Sequence, residues 1–91
     1  MEGLLGMSMG SLSELPNIGK AMEKRLVAIG INDIETLKKI GSKEAFIKLK
    51  IYEGDTCINS LYALEGAIQG IRWHDLSSES KEDLKAFYNS F

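Results

Sequence analysis

Apolar positions along this chain recur at three- and four-residue intervals and are cut into short runs by glycine, proline and small polar residues. That spacing predicts short amphipathic helices, and no sustained alternation of Val, Ile or Thr argues for strands. A first helix is expected over 12–15, with Ser11 as its N-cap. Pro16 lacks a backbone N–H and biases Leu15 away from helix, so a turn follows. A second helix is expected from Lys20 to Ala28, with Met22, Leu26 and Ile29 on one face and Gly30 as its stop.

Asn32 is the expected cap of a third helix over 33–40, whose Asp33 and Glu35 suit its positive end, and Gly41 ends it. Ser42 then caps a fourth helix over 43–51, and 52–56 reads as a loop around Gly54 and Asp55. A fifth, the longest and most apolar, covers 57–71. Ser77 or Ser78 caps a sixth, with Leu84, Phe87 and Phe91 on its buried side. The fold class is therefore all-α, a small bundle of five to six short helices over 12–91, preceded by a flexible leader over 1–11.

Sliding the chain by twenty-two residues reveals an internal echo. Leu12, Leu15, Ile18, Gly19, Val27 and Ile29 fall on Ile34, Leu37, Ile40, Gly41, Leu49 and Ile51. Both copies read apolar-x-x-apolar-x-x-apolar-Gly, then helix. A pair of helical hairpins packed together is the expected result.

At 91 residues the chain is long enough for one modest core. Its formal net charge is −2, which disfavours strong general affinity for nucleic acid. The charge is uneven, a net +2 over residues 1–50 and −4 over 51–91. One cysteine excludes an internal disulfide and fits a reducing, cytoplasmic setting. No apolar run approaches the ~18 residues of a membrane span, so no membrane partner is expected.

The stretch L-P-N-I-G-K-A at 15–21 carries the most specific local physics. Asn17 and Gly19 tolerate positive φ, and the turn they make starts a helix at once. The N–H groups that open such a helix form an anion site. Asn17, Gly19, Lys20 and Lys24 are thus the candidate contacts to a nucleic-acid phosphate. Glu23, one turn along, opposes them.

The hairpin resembles the helix-hairpin-helix motif, with Asn17 in place of its first glycine and Glu23 in place of its small residue. A wider likeness joins L-P-N-I-G-K-A-M-E-K-R-L-V-A-I-G-I, D-I-E-T-L-K-K-I-G-S-K-E-A-F and L-Y-A-L-E-G-A-I-Q-G-I-R-W-H-D-L. Over residues 12–88 these together resemble the C-terminal domain of TfoX/Sxy competence regulators. The resemblance implies a SAM-like or tandem helix-hairpin-helix-like fold, here in a stand-alone version, and a link to regulation of DNA uptake.

Ala63, Gly66, Ala67 and Gly70 form a small-residue stripe on the fifth helix. It suits either a close crossing inside the domain or the face of a homodimer. Trp73 and Tyr62 read as core aromatics before base-stacking platforms. Cys57 and His74, the one histidine, lack the company that nucleophilic or metal chemistry needs. No phosphate loop, zinc motif or dinucleotide fingerprint occurs, so no enzyme activity, metal or cofactor is expected. Two functional readings remain. The first is a regulatory or adaptor domain acting through an unidentified protein partner, with homodimerisation open. The alternative is weak, sequence-independent binding of the DNA backbone at residues 15–21.

Overall fold

Four α-helices and two 3₁₀ turns account for the secondary structure of the described residues in a computed structural model of the protein. The structure describes residues 11–54 and 56–90; most of the expected leader, and Phe91 of the expected sixth helix, lie outside them. A 3₁₀ turn at Leu12–Glu14 leads into α1 (Lys20–Ala28), α2 (Ile34–Glu53) and α3 (Ile58–Gln69). A second 3₁₀ turn at Trp73–Asp75 leads into α4 (Ser78–Asn89). No described residue lies in a strand.

The punctuation residues set most of these limits. Ser11 accepts a hydrogen bond from the Ser13 N–H, and Ser77 accepts one from Ser80. Past the end of α1, Gly30 takes φ 91°, a left-handed value that suits glycine. There the Gly30 N–H donates to Val27 O and the Ile31 N–H to Leu26 O, closing the carbonyls that the helix leaves open. Gly70 closes α3 the same way, its N–H donating to Ala67 O and that of Ile71 to Gly66 O.

Several boundaries differ from expectation. α3, expected over 57–71 as the longest helix, has 12 residues and is shorter than α2, because Cys57 is its N-cap and the left-handed Gly70 its C-cap. The segment after Ser11 is a single 3₁₀ turn, too short before Pro16 to become an α-helix. Asp33, not Asn32, caps α2, because its carboxylate reaches the Thr36 N–H at 2.8 Å. The expected third and fourth helices are divided at Gly41 as the sequence suggests, but follow one another so directly that they form one kinked element. Gly41, at φ 86° and ψ 164°, kinks α2 while the chain stays helical on both sides.

That kink also shows how the sequence echo diverges in space. Gly19 is extended at φ −91°, whereas its counterpart Gly41 has φ 86°. The reason lies just upstream. Pro16 and Asn17 break the chain in the first copy, while Lys38 and Lys39, good helix formers, stand in their places and remain helical in the second.

Leu12, Leu26, Leu37, Phe46, Leu49, Leu61 and Leu64 are fully buried and form one core with Ile18, Ile31, Leu76 and Leu84. Each such side chain contributes about 1.5–3 kcal/mol by leaving water. α2 packs along α3. α4 is drawn in by Leu84, by Tyr88 against Phe46 at 5.8 Å, and by the Lys43–Asp83 ion pair at 2.8 Å.

A clamp holds α1 to the end of α2. The Arg25 guanidinium donates to both Glu53 oxygens, at 2.7 and 2.9 Å, and to Thr56 Oγ1 at 3.1 Å. Glu53 extends the helix two residues past the expected end and reaches this partner.

Candidate functional site

The turn between Leu15 and Lys20 is held by its own residues. Asn17 sits at φ 69°, the one non-glycine residue at positive φ among the described residues. Asparagine tolerates that region. Gly19 does not use it: this residue is the extended N-cap of α1 and supplies no side-chain cap. Glu23 N–H to Gly19 O, 3.0 Å, is the first bond of the helical ladder. The N–H groups of Lys20, Ala21 and Met22 precede that ladder and point out of the helix end.

The Asn17 side chain turns away from that end. Its Nδ2 donates to Ile71 O at 2.9 Å and to Ala63 O at 3.4 Å. Its Oδ1 accepts from the Trp73 N–H at 3.1 Å. The amide therefore fastens the turn to the chain leaving α3.

Between these two segments lies an open groove of about 510 Å³. The Gly19 backbone, Met22, Asn59, Arg72 and Trp73 contribute to its walls, and no carboxylate lines it. Arg72 is exposed, and its side chain has no ion pair or hydrogen bond among the described residues, whereas Arg25 is fully engaged. Asn17 and Gly19 line the groove; Lys20 and Lys24 are exposed on α1 outside its lining.

Glu23, expected to repel an anion, is turned toward the preceding turn. It accepts a hydrogen bond from Ser11 Oγ at 2.7 Å, and that bond holds its carboxyl below the usual range. It is not among the groove residues.

The corresponding turn of the second copy makes a contrast. A groove of about 380 Å³ beside Ile40 and Gly41 includes Glu65 and Asp83. Ser42 Oγ and Gln69 Nε2 each donate to Glu65 at 2.6 Å. Lys43 lines this groove too and pairs with Asp83 at 2.8 Å, which leaves Glu65 as the carboxylate that disfavours an anion there.

The small-residue stripe is spent largely within the chain. Gly66 and Ala67 are buried, Ala63 lines the groove and Gly70 is the exposed left-handed residue after α3. A Cβ on residue 66 would lie 2.6 Å from Asn17 Nδ2 and 2.9 Å from Ile71 O. The Trp73 ring stacks with Tyr62 at 6.0 Å and His74 at 4.1 Å.

Cys57 is exposed at the start of α3. Burial pushes its thiol up, but backbone hydrogen bonds from Ser60 and Asn59 outweigh it and lower the pKa. Among the described residues no group of three His, Cys, Asp or Glu side chains can hold a metal, and no helix is long and apolar enough to cross a membrane.

Residues 8–88 match the family model described as the TfoX C-terminal domain. The chain belongs to that family. It is 30% identical over 74 residues to the DNA transformation protein TfoX1 of Aliivibrio fischeri, and 30% identical over 79 residues to protein Sxy of Escherichia coli. These alignments cover 80% and 87% of this chain but only 35% and 38% of the relatives, so it spans little more than a third of their length. A crystal structure of an uncharacterized protein from Listeria monocytogenes shares the fold at TM-score 0.87 and 51% identity, covering 89% of this chain and 92% of that one. A tetragonal crystal form of a protein of unknown function from the same species gives 0.84 at 51% identity, covering 86% and 96%.

The places of two arginines, one lining the groove and one clamping the helices, do not follow from the sequence. Arg72 is an isolated cation after a helix end, and its value comes from the groove across from it. Arg25 carries no motif, and its partners Glu53 and Thr56 lie 28 and 31 residues away.

Proposed function

We propose that this TfoX C-terminal domain is a non-enzymatic module serving regulation of DNA uptake, and that it touches the backbone of duplex DNA with the groove beside Gly19. The observation that carries this reading is the pairing of an unengaged Arg72 with the open end of α1 in a groove free of carboxylates. A phosphate seated there meets a guanidinium from one wall and backbone N–H donors from the other. Neither group reads bases, so recognition is independent of sequence. The tandem helix-hairpin-helix description extends only to the spacing of the two turns. The second turn, with Glu65 and Asp83 beside it, takes no part.

One or two phosphates each contribute roughly −0.9 to the slope of log K against log salt, which makes the interaction weak at physiological ionic strength. A labelled duplex followed by fluorescence anisotropy at low salt tests the reading. Binding that is lost in Arg72→Glu supports it; identical titrations for the two proteins remove it.

A second reading, a regulatory or adaptor domain working through a protein partner, rests on a different observation. Ile51 and Tyr52 are adjacent near the end of α2 and are 79% and 64% exposed; among the described residues the other exposed large apolar side chain is Val27, at 49%. Exposed apolar neighbours of this kind suit a protein contact. Ile51→Asp with Tyr52→Ser, introduced into a naturally transformable host, lowers transformation under this reading and leaves DNA affinity unchanged. Unaltered transformation with a stably folded variant contradicts it.

A further inference from the structure

Asn17 grips the main chain on both sides of Arg72. Its Nδ2 holds the Ile71 carbonyl at 2.9 Å, and its Oδ1 holds the Trp73 N–H at 3.1 Å. Arg72 stands between these two anchored residues in an extended backbone, φ −68° and ψ 145°. Meanwhile the backbone of Asn17 itself is the turn that delivers Gly19 to the opposite wall of the groove.

One side chain therefore sets the distance between the two walls, and we infer that Asn17 is the positioning residue of the groove: it holds Arg72 opposite the Gly19 end of α1 without touching the phosphate. This assignment rests on the DNA-backbone reading above. It moves Asn17 from the expected phosphate contacts to the frame behind them. The Asn17 amide uses Nδ2 and Oδ1 on protein atoms, and the lone Cβ that would intrude on Nδ2 is absent because residue 66 is glycine.

A merely structural Asn17 would affect stability and leave the number of phosphates contacted unchanged. The salt dependence of binding separates the two roles, because its slope counts neutralised phosphates. The test measures duplex affinity across a salt series for the unaltered chain, Arg72→Ala, Asn17→Gly and the double variant. Glycine retains the left-handed turn cheaply and deletes the three side-chain bonds. Arg72→Ala is expected to make the slope shallower by about 0.9. Asn17→Gly is expected to do the same, and to add nothing when Arg72 is already alanine.

An equal loss of affinity in both backgrounds, or an unchanged slope with Asn17→Gly, overturns the assignment while leaving the role of Arg72 intact. Indifference to Arg72→Ala, or no binding by the unaltered chain at low salt, overturns the DNA reading and this assignment with it. Where Asn17→Gly does not fold, Asn17→Ser serves with the same comparison: it is uncharged and too short to hold both the Ile71 carbonyl and the Trp73 N–H.

Discussion

Asn17 and Gly66 are fitted to one another: a Cβ on residue 66 would approach the Asn17 amide nitrogen to 2.6 Å. Glycine inside a helix ordinarily costs about 1 kcal/mol relative to alanine. Here the same substitution also drives a methyl group to within 2.9 Å of the Ile71 carbonyl, which is main chain and yields little. Overpacking of this kind costs roughly 1–3 kcal/mol and outweighs the propensity gain. Gly66→Ala is therefore expected to lower the midpoint of thermal unfolding, read by far-ultraviolet circular dichroism.

The pairing of Arg25 with Glu53 predicts a dependence on pH. The Arg25 hydrogen bonds hold the Glu53 carboxyl below the usual carboxylate range, against a smaller opposing effect of burial. A carboxylate lowered in the folded state contributes stability that is fully present above its unfolded pKa and is lost as pH falls through the folded value. Side-chain exposure of 33% for Arg25 and 20% for Glu53 limits the effect to roughly 1 kcal/mol. Glu53→Gln is expected to destabilise the chain at neutral pH by about that amount and to flatten its loss of stability in acid. Urea unfolding at a series of pH values measures both.

Phe46 tests the core that carries the groove. It is fully buried in the common core and packs at 5.8 Å from the Tyr88 ring of α4. Phe46→Ala removes this volume and leaves a cavity, with an expected loss of about 3–5 kcal/mol. Chemical denaturation gives the value directly.

Cys57 is exposed and its thiol is lowered by the backbone N–H groups that open α3. Native protein is expected to react with iodoacetamide at a lower pH than a free cysteine does, since the thiolate is the nucleophile. Mass spectrometry of samples alkylated across pH 6–9 supplies the profile, roughly the span in which protein thiols titrate.

The sequence was most legible where single residues act through their own backbone. Pro16, Gly30 and Ser77 each mark a boundary that the structure keeps, and α1 runs from Lys20 to Ala28 as the spacing predicts. Legibility fell where two neighbours had the same chemistry. Asn32 and Asp33 are both good caps, and only the reach to the Thr36 N–H decides between them.

Gly41 was readable as an interruption but not as a kink, because the path of the chain beyond it depends on its dihedral angles. The groove was least legible. Asn17 acts on main-chain atoms 46 to 56 residues away, and a carbonyl or an N–H leaves no mark in the sequence. Arg72 gains its place only through those bonds. Glu23 bonds to Ser11 and lies outside the groove lining, a placement that spacing alone does not give.

The groove account is tested most directly by a nuclear magnetic resonance titration with a short duplex at low salt, because it reads both turns at once. Amide shifts at Gly19, Lys20, Ala21, Asn59 and Arg72, with Gly41, Ser42 and Glu65 unmoved, are the predicted result. Shifts centred on the second turn, or none at either, would contradict it.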